Sequence, residues 1–279
     1  MTGTRAVVVS DTHLSPDAPE AQANWAAVVG YVAAAAPDVV IHLGDLSLDG
    51  GHRRSDLEYA RRQLDLLSVP WYAVPGNHDI GDNPREGAPE DSAVEDDRRQ
   101  RWLDVVGADY WSLSSTGWTL LAINAQLAGS GLAAEAAQWS WLAGQISACG
   151  DDERIALISH KPLTVSDAEL AAAPPYRFLP EPARGYLTGL FGDRPPALVI
   201  SGHVHQQRQL RLGATEHLWA PTTWAVLPDH AQPVFGAKRC GIMSIEFGTQ
   251  TLPQPEFREP DGIRQLTITA DIPNPYAGH

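Results

Sequence analysis

The 279 residues are 43% apolar and 19% charged, which is ordinary for a globular chain of one or two domains and wrong for a disordered one. With 20 Lys and Arg against 34 Asp and Glu, the formal charge is −14, so no overall field attracts a nucleic-acid polymer or an anionic membrane. Cys149 and Cys240 are too few for a disulfide framework or a zinc site, and no run of about 18 apolar residues offers a membrane span.

The N-terminus leads directly into a strand pattern at Ala6–Val9, without the apolar stretch of a signal peptide, which makes the cytoplasm the default compartment. An Ala-rich helix is expected over Ala21–Ala36, stopped by Pro37. Strand Val39–Leu43 follows, then a helix over Asp56–Leu67 in which Ser55 and Glu58 have capping-box spacing. Strand Trp71–Val74 precedes a Pro/Gly/charge loop, Gly81–Glu90, and a highly charged helical stretch, Asp91–Val106. Next come strand Thr119–Ile123 and a helix over Ala133–Ala148, with Trp139, Leu142 and Ile146 on one stripe. Strands Ile155–Ile158 and Leu198–Ile200 flank the proline-rich Ala171–Pro182. Strands His217–Ala220 and Ile242–Phe247 complete the pattern, and a tail punctuated by prolines runs on from Thr251. Strands alternating with helices argue for an α/β architecture. Strand patterns lie on both sides of the irregular stretches, so none reads as a linker. The expected organisation is one domain over 1–250, with 251–279 as a tail packed on it.

Five apolar runs end in residues that carry chemistry: Ser10-Asp11-Thr12-His13, Gly44-Asp45, Gly76-Asn77-His78-Asp79, His160 and Gly202-His203-Val204-His205. In an open α/β sheet, ligands gather outside the C-terminal ends of the strands. Oxygen and imidazole donors without a thiolate suit transition ions such as Mn, Fe, Zn or Ni. The donors exceed what one ion needs. One carboxylate shared by two ions would leave positions for water and substrate. Two ions about 3.5–4 Å apart clamp the attacking and leaving oxygens of a phosphoryl displacement, and a water between them becomes a nucleophile near neutral pH. Gly44, Gly76 and Gly202 each precede a donor, where the backbone must turn sharply or approach closely.

These motifs in this order (D-x-H, G-D, G-N-H-D, H, G-H-x-H) resemble the calcineurin-like metallophosphoesterase superfamily, from Asp11 to His205. The resemblance implies a four-layer αββα sandwich with two facing mixed sheets. It implies that Asp11, His13 and His205 hold one ion, that Asn77, His160 and His203 hold the other, and that Asp45 bridges. The ions would be divalent or trivalent, Mn or Fe foremost, with Zn, Co or Ni admissible. His78 would face the leaving-group oxygen as acid or electrostatic stabiliser, with Asp79 holding its ring. Gly44-Asp45-Leu46-Ser47-Leu48-Asp49-Gly50 lacks the arginine of the protein Ser/Thr phosphatases, and Leu48 stands where purple acid phosphatases place an iron-binding tyrosine. What remains resembles small bacterial phosphodiesterases, including the class III cyclic-nucleotide type.

The implied activity is hydrolysis of a small phosphodiester, such as a cyclic nucleotide, by a metal-bridging hydroxide attacking in line. The alternatives are a phosphomonoesterase or nucleotide pyrophosphatase with the same centre, and a non-catalytic protein-binding scaffold on the same fold. A small phosphate ester is the expected partner, with the chain a monomer or homodimer. Arg85, Arg177, Trp219 and Trp224 are the candidate substrate contacts, with Arg98, Arg99, Arg101 and Arg184 as further cationic candidates. His42 reads as a core histidine, and His52, His217, His230 and His279 as surface or loop residues.

Overall fold

Alternate side chains of the apolar runs face opposite ways, and here both faces are covered. The computed structural model describes residues 3–166, 169, 177–248, 252–269 and 271–272. Strands β1 (Thr4–Val9), β2 (Val39–His42), β3 (Trp71–Ala73), β10 (Ile242–Phe247) and β11 (Glu256–Arg258) form a sheet in the order β11-β10-β1-β2-β3. Strands β4 (Trp111–Ser115), β5 (Trp118–Ile123), β6 (Arg154–Ser159), β7 (Leu198–Ser201), β8 (Arg208–Leu212) and β9 (Thr215–Trp219) form a second, in the order β4-β5-β6-β7-β9-β8. Both sheets are mixed: β1-β2-β3 and β5-β6-β7-β9 run parallel, with antiparallel pairs at their flanks.

Ala6, Val8 and Ile41 of the first sheet meet Leu120, Ile158 and Ile200 of the second in a core between the sheets. The odd residues Val7 and Val9 point the other way, onto Trp25, Val28 and Val32 of α1 (Pro19–Ala35) and Leu57 and Leu64 of α2 (Arg54–Leu64). Leu121, Leu157 and Val199 of the second sheet pack outward onto Trp139 and Leu142 of α5 (Ala133–Ala148) and Leu187 and Phe191 of α6 (Ala183–Phe191). The expected αββα layering is therefore observed. Burial on both faces explains why the inner strands read as continuous apolar runs. Among the described residues, no helix is long and apolar enough to cross a membrane.

The single turn α3 (Asn77–Ile80) follows β3, and α4 spans Asp96–Val105. Within the expected helix at Asp91–Val106, the beginning forms only a 3-10 turn, Glu90–Ser92. The expected capping box does not form. Arg53 stands at the N-cap position of α2 without a side-chain cap bond, Ser55 lies inside the helix, and Glu58 accepts from Arg54 Nε instead (2.8 Å). Part of Ala171–Pro182 and the end of the tail, including His279, lie outside the described residues. The described tail adds β11 to the first sheet, and its Leu266, Ile268 and Ile272 pack against Trp224 and Ala18.

His217 is not at the surface as expected; it is a buried residue of β9. Burial pushes its pKa down to about 4. The unfolded chain takes up this proton below about pH 6.5, whereas the folded chain resists until about pH 4, so stability falls with pH across that window by up to about 3 kcal/mol. His217→Leu should flatten this part of the acid limb in denaturant titrations at pH 4–7. An unchanged slope would show that the burial of this imidazole does not govern it.

Candidate metal centre

Five loops at the C-terminal ends of β1, β2, β3, β6 and β7 bring the motif residues together. Backbone bonds zip the loops after β1 and β2: Asp11 N–H donates to the Gly44 carbonyl and His13 N–H to the Asp45 carbonyl, both at 3.0 Å. Gly202 N–H donates to the His160 carbonyl (2.9 Å), which fixes β7's loop on β6. A Cβ on Gly76 would strike Asp45 Oδ1, and one on Gly202 would strike Ser10 Oγ. Only a bare backbone fits at these two places.

Two donor clusters of the expected ligands result, and His13, Asp45 and His78 make a third, overlapping group. Asp11, His13 and His205 offer atoms within 4.8 Å of one another, as do Asp45, His160 and His203. His205 Nε2 lies 3.3 Å from Asp11 Oδ1 and 3.4 Å from His13 Nε2. His160 Nε2 lies 3.1 Å from His203 Nδ1 and 3.3 Å from Asn77 Oδ1. Asp45 Oδ2 stands between the clusters, 3.4 Å from His160 Nε2 and 3.8 Å from His13 Nε2. All seven expected metal residues are thus gathered. Asp11, His13, Asp45, His203 and His205 adopt left-handed backbone conformations, with φ between 45° and 67°.

Carbonyls set the imidazole tautomers. His160 Nδ1–H donates to the Leu43 carbonyl (2.8 Å) and His205 Nδ1–H to the Ala225 carbonyl (2.6 Å). Each Nε2 is thereby turned into the cage, where it would give up its proton to ligate an ion, the arrangement metal-ligating histidines adopt. Asp11 Oδ1 is buried without a hydrogen bond. A buried carboxylate oxygen in that state, beside converging imidazole nitrogens, fits a cation. Nitrogen and oxygen donors without sulfur fit the transition ions expected from the sequence.

Burial opposes charge on both carboxylates, but the imidazoles facing them prevail, His205 at Asp11 and His160 at Asp45, and hold both pKa values below the usual range. Burial likewise pulls His160 down, yet Asp45 raises it to about 9; Asp11 raises His205 in the same way. His13 and His203 are pushed down, by burial first and then by His78 and His160 respectively.

His78 packs edge-on against His13, with ring centroids 4.7 Å apart, and its Nδ1–H donates to the Leu48 carbonyl (2.9 Å). Asp79 does not hold that ring, contrary to expectation. Its carboxylate accepts from the N–H groups of Leu46, Ser47 and Gly76 and from Ser47 Oγ, so it braces the loop after Asp45. Burial and the Asp45 charge raise its pKa to about 6. His42 is a core histidine, as expected. Its Nδ1 accepts from Gly44 N–H (3.1 Å) and its Nε2 meets Thr12 Oγ1 (2.9 Å), so one ring ties two ligand loops together.

A cleft of about 530 Å³ opens over the cage. Arg85, Arg98 and Arg177 line it, with His52 at its edge beside Asp49. Trp219 and Trp224 do not line it. Trp219 is buried against Phe178 under the Arg208 guanidinium, and Trp224 is buried with its ring 4.7 Å from that of His13. Arg99 is engaged with Asp109, Arg101 with the Gly51 carbonyl and Arg184 with Glu181. Lys161 belongs to none of the sequence motifs. It is buried directly beside His160 and bonds Asp82 and Asn83. Its only sequence signal is adjacency to a donor.

A family model for the calcineurin-like phosphoesterases matches residues 4–207. The chain belongs to that family. A probable glycerophosphodiester phosphodiesterase, GpdQ, of Arcobacter nitrofigilis is 25% identical over 174 residues, which are 61% of this chain and 57% of that one. The chain therefore spans less than two thirds of this relative's length. A dimetal phosphatase from Danio rerio superposes with a TM-score of 0.65 at 14% identity, over 93% of this chain and 97% of its own. GAP50, the anchor in the inner membrane complex of Plasmodium, superposes at 0.63 with 13% identity, over 99% and 93%. The purple acid phosphatase PPD1 of yellow lupin (Lupinus luteus) does so at 0.61 with 14% identity, over 96% and 54%. At these identities the likeness to the solved structures is one of fold.

In this phosphoesterase fold, Gly76→Ala should push the Asp45 carboxylate out of place. Overpacking of this kind costs about 1–3 kcal/mol. The expected outcome is a lower melting temperature together with weaker Mn uptake. Wild-type values for both would contradict the close approach.

Proposed function

We propose that this chain is a dinuclear metal-dependent phosphodiesterase acting on a small phosphodiester, with cyclic nucleotides and glycerophosphodiesters as the first substrates to try. The observation that carries this reading is the place of Asp45 Oδ2 between His160 Nε2 (3.4 Å) and His13 Nε2 (3.8 Å). One carboxylate oxygen within reach of both clusters is what a shared ligand requires. Asp11, His13 and His205 would complete one ion's set, and Asn77, His160 and His203 the other's. Two bound ions supply Lewis acidity toward phosphoryl oxygens and make a water nucleophilic near neutral pH.

The remaining steps belong to the chain's own residues. Asp45 Oδ1 accepts from His78 N–H (2.8 Å), so the carboxylate proposed to bridge is tied to the turn that carries the proposed acid. The Leu48 carbonyl holds the His78 Nδ1–H and so fixes the ring; acting as the acid, the His78 imidazolium would give its Nε2 proton to the departing alkoxide and keep the Nδ1 proton. Arg85 and Arg177 give the cleft positive charge for the unesterified phosphate oxygens. The relative named as a probable glycerophosphodiester phosphodiesterase supports a diester. GAP50 is named as an anchor, so fold alone does not decide between enzyme and scaffold; the complete donor set favours the enzyme.

His78 also lies within 4.8 Å of donor atoms of His13 and Asp45, so its proposed role as a non-ligand is open to direct test. His78→Ala should retain both ions while kcat on a bis-aryl phosphate falls about 10²–10⁴-fold. Metal content falling in step with activity would make His78 a ligand. Asp45→Asn should weaken both ions together, and clean loss of one by mass spectrometry would contradict bridging. Faster turnover of a mono-aryl than a bis-aryl phosphate would reassign the enzyme as a phosphomonoesterase.

A further inference from the structure

Lys161 is 1% exposed. A lysine so deeply buried needs partners, because an unpaired ammonium is costly away from water. Its Nζ bonds Asp82 Oδ1 at 2.5 Å and Asn83 Oδ1 at 2.7 Å. The two ends of this contact come from opposite sheets. Lys161 follows His160 at the end of β6 in the second sheet, and Asp82 and Asn83 follow α3, which carries Asn77 and His78 out of the first.

The anchorage extends on both sides. Asn83 Nδ2 is within 2.7–3.0 Å of the carbonyls of Ala125, Gln126 and Ala128, in the loop after β5. In the orientation its neighbours require, the Gln126 amide donates to Asp82 Oδ1 (3.2 Å) and accepts from Asn77 N–H (3.3 Å). The network thus returns to a proposed ligand. Asp82 N–H also donates to the Ser92 carbonyl and Val94 N–H to the Asp82 carbonyl. The base of the loop that brings Arg85 to the cleft is therefore held at the same point.

We infer that Lys161 is a positioning residue for one half of the centre. It sets the separation of Asn77 and His160, whose donor atoms stand 3.3 Å apart, and so tunes the Asp45/Asn77/His160/His203 cluster. Its Nζ bonds go to Asp82 and Asn83, on the side of Asn77 and His160 rather than of Asp11, His13 or His205. The inference rests on the two-ion reading above and adds that the two ions depend on different supports.

The test uses the full chain. Lys161→Met strands the Asp82 charge and can compromise folding, so Lys161→Met/Asp82→Asn, which removes both charges, is made beside it. Mn stoichiometry and affinity are measured by calorimetry and metal analysis, and spin coupling by electron paramagnetic resonance. Wild type should hold two coupled ions. The double variant should melt cooperatively, keep one ion with near wild-type affinity, lose at least tenfold in affinity for the second, and show an uncoupled mononuclear signal. Two ions held as in wild type, or both weakened equally, would overturn the role of Lys161 and leave the two-ion reading standing. A wild-type chain that never holds two ions would overturn both.

Discussion

The Asp45 carboxylate is 2% exposed and accepts a hydrogen bond from His78 N–H through one oxygen, while its other oxygen faces imidazoles of two separate clusters. Buried carboxylates are costly unless positive charge faces them. In this chain Asp11 and Asp45 are both buried, and imidazole nitrogens surround them at 3.3–3.8 Å. A pair of facing nitrogens such as His13 Nε2 and His205 Nε2, 3.4 Å apart, can share at most one proton. At 3.4 Å the two nitrogens stand farther apart than an ordinary hydrogen bond would hold them, so a shared proton leaves most of this convergence unaccounted for. Converging lone pairs of that kind are stabilised by a cation, and the other features of the site follow from holding them in place.

The backbone carries much of that burden. Left-handed φ values at five donors cost of order 1–3 kcal/mol each unless the surroundings enforce them. Here the enforcement is visible. The β1 and β2 loops bond each other through Asp11 and His13, Asp79 gathers three N–H groups of the β2 and β3 loops, and His42 clasps Gly44 and Thr12. Asp and His tolerate this backbone region better than β-branched residues. The types that can ligate are also among those that can occupy the turn.

Legibility in the sequence followed burial. Inner strands such as β2 and β7 are covered on both sides, so they stood out as apolar runs with boundaries close to those observed. The edge strands β4, β8 and β11 are half-exposed, and their mixed polar sequences, such as Arg-Gln-Leu-Arg-Leu at β8, gave no such signal. Helix α6 carries Gly185 and Gly189 and follows a proline-rich stretch, so its packing rather than its propensity makes it a helix. At the site, the donors were legible because glycines and strand ends mark them. The partners were not. Asp79 braces the loop after Asp45 rather than the His78 ring that the family resemblance implies, and its partners are mostly backbone N–H groups, which no motif records. Trp219 and Trp224, candidate substrate contacts by sequence, are both buried, Trp219 against Phe178 and Trp224 behind His13.

Asp11, His13, Asp45 and Asn77 leave the first sheet, whereas His160, His203 and His205 leave the second. The proposed ions therefore sit on the seam of the sandwich, and each cluster draws donors from both sides. The spacing across that seam is set by the packed core beneath it, where Val8 and Ile41 meet Ile158 and Ile200. Close-packed interiors resist displacement and transmit strain, so this core is as much a part of the centre as its donors. Lys161 repeats the pattern at the rim, joining a second-sheet strand end to a first-sheet loop by an ion pair. A cleft floor built this way can keep its donors fixed while the loop carrying Arg85, exposed and remote from the core, varies with substrate.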